Sequence, residues 1–185
     1  YDCDRPELLG VLADIRLCQI QLAFQAAIAA SILGTPEKAA SYCGSDYLHA
    51  CFDFKLIESK RSPSVVLKTV KEWESALGVT NWPNYVLNNH DTPRYATRFG
   101  LGEEDERLKV AAAMLLTLRG TPFLYYGEEI GMRDIRLKRS EILDPIGKRY
   151  WPIYKGRDGC RAPMQWNTGI NAGFSPVKPW LPVHP

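Results

Sequence analysis

The chain has 185 residues, of which 45% are hydrophobic, and a formal net charge of +2 at pH 7. This length and this hydrophobic fraction are sufficient for a globular domain with a core. A net charge so close to zero does not favour nucleic acid or an acidic membrane surface as a partner.

Five cysteines are present, an odd number, and no two of them form a C-x-x-C pair. The sequence therefore predicts neither a disulfide framework nor a zinc site. Reduced thiols are typical of cytosolic proteins, so we expect a cytoplasmic location. The apolar stretch 17–33 is short for a membrane span and contains Gln19, Gln21 and Gln25, so no membrane contact is expected.

The first half of the chain predicts a helix, a strand and a second helix. Apolar residues recur at helical spacing after Pro6, which places the start of the first helix near Arg5. Residues 50–57 form a short apolar run that is typical of a buried strand. A second helix then opens around Pro63, since proline suits the first helical turn.

The second half repeats this alternation. A short strand is predicted around Val86, a helix from Glu103 to Gly120, and another strand over residues 122–126. Each predicted strand is followed by a polar loop. The order indicates a parallel α/β arrangement, in which chemistry is usually found on the loops that follow the strands.

His90 and Asp91 directly follow the strand predicted around Val86. A histidine beside a carboxylate on such a loop is able to bind sugar hydroxyls or to tune proton transfer. The surrounding residues 86–94 (VLNNHDTPR) resemble the segment at the seventh barrel strand of family 13 glycoside hydrolases, the α-amylase superfamily. Three further segments resemble that family, in the same order: residues 120–129 (GTPFLYYGEE), 156–166 (GRDGCRAPMQW) and 171–175 (NAGFS).

The resemblance is strongest to bacterial α-glucosidases and oligo-1,6-glucosidases. It implies an α/β fold, with residues 1–175 forming the second half of a (β/α)₈ TIM barrel. Residues 176–185 would then lead into a truncated carboxy-terminal region, the start of a β domain. A complete barrel has about 250 residues, so the chain is interpreted as a carboxy-terminal fragment.

Members of this family cleave glycosidic bonds with retention of configuration, using an Asp nucleophile and a Glu acid/base. By resemblance, Asp91 is the second catalytic Asp, which grips ring hydroxyls of the distorted sugar. His90 would hydrogen-bond to the same ring. An arginine of the segment 157–161 would contact the terminal glucose, and the sequence leaves both Arg157 and Arg161 open for that role.

Two departures from the family concern the other catalytic carboxylates. No Arg-x-Asp, the usual setting of the nucleophile, occurs in the chain, and no acid lies between Ile15 and Pro36. Counting from the family-like segment at Gly34 places the acid/base Glu near Ala30. We interpret residues 17–33 as a frame-shifted reading of the fifth-strand region, with genuine divergence as the alternative. The chain alone is expected to be inactive.

The predicted parental function is hydrolysis of terminal α-linked glucose from oligosaccharides such as maltose. A transglycosylating or isomerising enzyme, similar to trehalose synthase, is the first alternative, and a non-catalytic barrel subunit is the second. No cofactor is implied, and we see no ligand cluster for a metal. Of the remaining polar and aromatic residues, Glu128 and Glu129 are expected to be structural and Trp166 to pack internally.

Overall fold

The computed structural model of the chain describes residues 7–21, 29–30, 34–59, 62–99 and 106–184. The fold contains seven helices and four strands within this part of the chain, apart from short 3₁₀ turns. The helices are α1 (Glu7–Gln21), α2 (Pro36–Ala40), α3 (Lys55–Glu58), α4 (Pro63–Leu77), α5 (Tyr95–Phe99), α6 (Glu106–Thr117) and α7 (Pro145–Tyr150). The strands are β1 (Ala29–Ala30), β2 (Ala50–Asp53), β3 (Asn84–Val86) and β4 (Thr121–Phe123).

The chain divides into two compact units. We call the first the sheet unit; it comprises Tyr1–Val86 and Thr117–Phe123. The second, the loop unit, comprises Leu87–Leu116 and Leu124–Pro185. The expected boundary after residue 175, between the barrel and a following region, stays a prediction.

The sheet unit is built around four parallel strands in the order β1-β2-β3-β4. Phe52 pairs with Asn84, and Asn84 pairs in turn with Thr121. All three residues of β3 are buried, as expected for a parallel strand that is covered on both faces. The predicted parallel α/β class is therefore observed.

Helix α4 supplies much of the core of the sheet unit. Proline opens it at Pro63, and Trp73 and Leu77 near its end are buried, with exposures of 1% and 2%. Glu74 of the same helix accepts hydrogen bonds from the Tyr85 hydroxyl, at 2.9 Å, and from Arg119, at 2.6 Å. Helix α4 thus provides apolar packing and also hydrogen bonds to β3 and to Arg119.

A close backbone approach fixes the start of β4. The backbone N–H of Thr121 donates to the carbonyl oxygen of Pro83 at 2.9 Å. Gly120, just before it, has φ +131°, and a Cβ on this residue would lie 2.4 Å from the same oxygen. Only glycine satisfies both the positive φ and the contact.

The structure corrects two of the predicted strands. The predicted strand 50–57 ends at Asp53, because the Asp53 carboxylate accepts the backbone N–H of Lys55 at 2.9 Å and the chain turns into α3. The last strand is also shorter than expected, and ends at Phe123. Helix α6 is described from Glu106 to Thr117, whereas residues 100–105, which include the predicted start, lie outside the described residues.

The hypothesis of a frame-shifted segment falls mostly outside the described residues, which exclude 22–28 and 31–33. Helix α1 extends to Gln21, and β1 is formed at Ala29–Ala30. The proposed start of the first helix near Arg5 also lies outside the described part of the chain.

Candidate functional site

The loop that carries Asp91 begins where β3 ends. Asp91 lies five positions after Val86 and is not helical, as predicted. The side-chain oxygen of Asn89 accepts the backbone N–H groups of Asp91, at 3.0 Å, and of Thr92, at 2.9 Å. Such a turn is a common way for asparagine to fix a tight bend. It leaves the Asp91 side chain 46% exposed.

Both candidate arginines contact Asp91. Arg157 Nη1 donates to Asp91 Oδ1 at 3.0 Å, and Arg161 Nη2 donates to the same oxygen at 2.9 Å. Arg161 also donates from Nε to the backbone carbonyl of His90 at 2.7 Å. The prediction that the 157–161 segment approaches Asp91 is confirmed, and both arginines of the segment contact this carboxylate. Which of the two contacts the terminal glucose stays a prediction.

His90 lies at the solvent side of this cluster. Its Nε2 is 3.4 Å from Asp91 Oδ2, and its side chain is 68% exposed. Asp91 therefore presents one oxygen to the two guanidinium groups and the other to an imidazole. The four predicted site residues, His90, Asp91, Arg157 and Arg161, are thus brought together within the loop unit.

A buried carboxylate, Asp144, orients Arg157 from behind. Asp144 Oδ2 accepts both the side-chain Nε and the backbone N–H of Arg157 at 2.9 Å, and its side chain has 0% exposure. The hydrogen bond from the Arg157 side chain lowers the pKa of Asp144 to about 2. Asp144 also caps α7, since its Oδ1 accepts the backbone N–H of Ile146.

Asp158 supports Asp144 from the next loop. Asp158 Oδ2 accepts the backbone N–H groups of Leu143, at 2.6 Å, and of Asp144, at 2.8 Å. It is itself 4% exposed. The Arg157 segment therefore contributes one residue that faces Asp91 and another that anchors the chain behind it.

Glu128 has the structural role that was expected. Its carboxylate accepts the side-chain N–H of Asn88 and the backbone N–H of Tyr125, and the residue is 7% exposed. Burial raises the pKa of Glu128 to about 7. The amide oxygen of Asn88 in turn accepts the backbone N–H of Tyr95. This network fixes the segment just before His90.

Arg94 is fully buried between aromatic rings of the same unit. Its guanidinium carbon lies 4.8 Å from the centre of the Tyr125 ring and 4.6 Å from that of Tyr126. Its Nη1 donates to the backbone carbonyl of Tyr126 at 2.6 Å.

The expectation that Trp166 packs internally was wrong, because this side chain is 68% exposed.

Asp144 and Arg94 were not identified as site-supporting residues from the sequence. Asp144 is followed by Pro145, a pair that is typical of a helix N-cap and first turn. That signal predicts the cap but gives no indication of the contact with Arg157, thirteen positions later. Arg94 was noted only as the last residue of the segment 86–94, and nothing in the neighbouring sequence predicts that it is buried.

The described residues contain no helix long and apolar enough to cross a membrane. Within the same residues, no group of three or more His, Cys, Asp or Glu side chains is placed to hold a metal ion.

Parallel strands alternate with helices along the chain, and an acidic and basic cluster lies on the loop after β3. Alternation of this kind is found in (β/α)₈ barrels, whose sites lie on the loops after the strands. Residues 45–185 match the family described as Alpha amylase, catalytic domain. The chain belongs to this family of glycoside hydrolases, and its (β/α)₈ fold is partial.

Relatives and solved structures agree with this assignment. The chain is 34% identical, over 191 residues, to a probable α-glucosidase of Rhizobium meliloti (strain 1021), covering 99% of this chain and 34% of that protein. It is 37% identical, over 141 residues, to the oligo-1,6-glucosidase of Parageobacillus thermoglucosidasius, covering 64% and 25% respectively. The crystal structure of the α-glucosyl transfer enzyme XgtA superimposes with a TM-score of 0.89 at 33% identity, covering 97% of this chain and 34% of that one. The matched part of the chain thus spans between a quarter and about a third of the length of these proteins.

Proposed function

We propose that the chain supplies the sugar-gripping part of the active site of a retaining α-glucosidase. Its substrate class would be oligosaccharides with terminal α-linked glucose, such as maltose. The observation that carries this proposal is the contact of Arg157 and Arg161 with a single oxygen of Asp91. The relatives named α-glucosidase and oligo-1,6-glucosidase support the substrate class.

The chemistry of the cluster suits a sugar ring at the transition state. A carboxylate held by guanidinium groups accepts hydrogen bonds from sugar hydroxyls, and the charge assistance makes these bonds stronger than neutral ones. The transition state of glycoside cleavage resembles an oxocarbenium ion, so hydroxyl contacts that tighten there lower the barrier. In this proposal Asp91 is the gripping carboxylate, and His90 and the two arginines contact the same terminal glucose.

Saccharide binding tests this role without requiring catalysis. Maltose is titrated into the 185-residue chain, and binding is followed by ligand-detected NMR. The Asp91→Asn variant should bind maltose at least about tenfold more weakly, because hydrogen bonds to a charged group are worth about 1.5–3 kcal/mol. Glu129→Gln, which removes a charge from an exposed side chain of the same unit, is the matched control and should bind normally.

Two results would contradict the proposal. One is equal binding of maltose by the parent chain and by Asp91→Asn. The other is the absence of saturable maltose binding by a parent chain that circular dichroism shows to be folded.

A glucosyl-transferring enzyme is a second candidate, favoured by the likeness to the α-glucosyl transfer enzyme XgtA. Hydrolysis and transfer use the same gripping residues, so Asp91, Arg157 and Arg161 do not separate them. Product analysis separates them: an enzyme assembled with this segment would release free glucose from maltose in one case and form new disaccharides in the other.

We also propose that the chain alone does not hydrolyse maltose. By the family resemblance, the acid/base Glu belongs near Ala30, where β1 consists of Ala29 and Ala30. An alanine has no proton to give, and general acid catalysis contributes roughly 10²–10⁴-fold. Glucose release by the purified chain at a rate near that of an intact relative would overturn this.

We also propose a cytoplasmic location, which rests on the cysteine composition alone.

A further inference from the structure

Two cysteines of the sheet unit lie side by side in the interior. Cys43 precedes β2, and Cys51 lies within it. Their Sγ atoms are 3.2 Å apart, and the residues are 9% and 0% exposed. A disulfide requires an S–S distance of about 2.05 Å, so an approach of about 1 Å would join the two sulfurs.

The backbone around Cys43 holds it near β2. Cys43 pairs with Leu48 in a parallel bridge, in which Gly44 N donates to Leu48 O and Leu48 N donates to Tyr42 O, both at 3.0 Å. Cys51 is fixed from its other side, since it pairs with Ala30 of β1. The backbone at each cysteine is therefore held by pairing with a neighbouring segment.

The two thiols are chemically unequal. The hydrogen bond between them lowers the pKa of Cys43 and raises that of Cys51. Thiol–disulfide exchange proceeds through a thiolate that the co-reactant is able to reach. Cys43 is the more exposed of the two, at 9% against 0%, so Cys43 is the sulfur suited to attack and Cys51 the sulfur suited to resolve.

We propose that Cys43 and Cys51 form an oxidisable dithiol, a modification site whose co-reactant is a small disulfide of the glutathione type. The Cys43 thiolate attacks one sulfur of the small disulfide, forms a mixed disulfide and releases one small thiolate. Cys51 then loses its proton to solvent, attacks the Cys43 sulfur and releases the second small thiolate. One protein disulfide and two small thiols result, and two electrons pass from the protein to the oxidant.

Cys160 provides an internal comparison in the loop unit. It is also buried, at 2% exposure, but its sulfur contacts the backbone carbonyl of Arg157, at 3.1 Å. Burial raises the pKa of Cys160 to about 11. Cys160 should therefore remain reduced under conditions that oxidise the pair.

The sequence makes the experiment direct. Trypsin cuts after Lys38 and Lys55, so one peptide, residues 39–55, contains both Cys43 and Cys51 and no other cysteine. The folded chain is equilibrated with mixtures of reduced and oxidised glutathione, quenched with acid, alkylated and digested. We expect peptide 39–55 to become lighter by two hydrogen atoms and to escape alkylation, reversibly on addition of dithiothreitol, while the Cys160 peptide stays alkylated.

A synthetic peptide of residues 39–55 is the reference for an unfolded pair. The folded chain should reach half-oxidation at a ratio of squared reduced to oxidised glutathione concentration that is at least about tenfold higher, because the fold raises the effective concentration of one thiol at the other. Equal ratios for chain and peptide would overturn the proposal. Cross-linking of peptide 39–55 to another cysteine peptide would overturn it as well.

A variant tests the order of the two steps. In Cys51→Ala the resolving thiol is absent, so Cys43 should accumulate a mixed disulfide with glutathione, seen as an adduct on peptide 39–55. Cys43→Ala should accumulate much less adduct on Cys51. Equal adduct formation on Cys43 and on Cys160 in the Cys51→Ala chain would show that Cys43 is not selectively reactive.

Discussion

The sheet unit and the loop unit both bury apolar side chains, but their interiors differ in the charged side chains that they contain. In the sheet unit, parallel strands and large buried side chains such as Trp73, Tyr85 and Leu56 form the core. In the loop unit, the buried residues include several charged side chains, among them Arg94, Glu128, Asp144 and Asp158. Apolar burial is non-directional, whereas each buried charge needs a specific partner.

This difference in buried charge indicates which unit depends more on specific contacts. A sheet core tolerates approximate shapes, because its stability follows buried area. The loop that carries Asp91 has no ladder of strand hydrogen bonds to define it, so its shape depends on individual contacts such as Asp144 with Arg157 and Glu128 with Asn88. We therefore expect the effects of substitutions in the two units to differ in kind as well as in size.

The largest effect is expected from Trp73→Ala in the sheet unit. Truncating a fully buried tryptophan typically costs about 3–5 kcal/mol, through lost burial and the cavity that remains. The measurement is urea denaturation, with hydrogen exchange of β2 and β3 amides to locate the change. Val79→Ala, at a site that is 95% exposed, should change the free energy of unfolding by less than about 0.5 kcal/mol. Equal effects of the two substitutions would mean that the sheet core is not formed in solution.

The second comparison uses two carboxylates that share one arginine. Asp144→Ala should destabilise the loop unit by about 2–3 kcal/mol, since it removes a helix cap and charge-assisted hydrogen bonds from a buried position. Asp91→Ala removes an exposed partner of the same Arg157, so it should cost less than about 1 kcal/mol.

Maltose binding should rank these two variants in the opposite order from stability. Asp91→Ala should abolish maltose binding while the fold persists. Asp144→Ala should weaken binding only as far as it disorders Arg157. Thermal unfolding and maltose titration of both variants separate these outcomes, and an equally large loss of stability in both would refute the distinction between an anchoring and a presenting carboxylate.

The smallest expected change is in the pH dependence of stability. Burial raises the pKa of Glu128 from 4.5 to about 7 in the folded chain. A carboxyl with a raised folded pKa contributes stability that is fully present below pH 4.5 and is lost as the pH rises through 7. Glu128→Gln should flatten the slope of unfolding free energy against pH between these values, whatever its effect on the absolute stability.

Glu129→Gln is the control for this slope. Glu129 is the adjacent acid in the same turn but is exposed, and its charge is a minor cause of the raised pKa of Glu128, so its removal should change the slope much less than Glu128→Gln does. An unchanged slope in Glu128→Gln would mean that another group, such as the buried Asp53, whose pKa is also raised to about 6 by burial, dominates the response.

Much of the sheet unit could be predicted from local patterns. Apolar runs located β2, β3 and β4, and Pro63 located the start of α4. The end of β2 was missed because it depends on one side-chain hydrogen bond, from Lys55 N to Asp53, which competes with continued extension. The start of β4 was predicted to within one residue, since Gly120 interrupts the preceding helix pattern.

The site was predicted through resemblance and not through local pattern. His90, Asp91, Arg157 and Arg161 were identified as motif residues, and the structure brings them together. The support by Asp144 was not predictable, because a contact between residues far apart in sequence has no periodicity. Trp166 was misjudged for a related reason: an aromatic residue in an irregular loop carries no signal of which side it faces.

The sequence separations within the Asp91 cluster have a consequence for the order of folding. Arg157 is 13 residues from Asp144 but 66 from Asp91, and Arg161 is 71 from His90. Closing a longer loop costs more entropy, and contacts between distant residues slow the search for the native state. We expect the contact between Asp144 and Arg157 to form early, because it is local in sequence, and the guanidinium groups to reach Asp91 only in the last steps of folding.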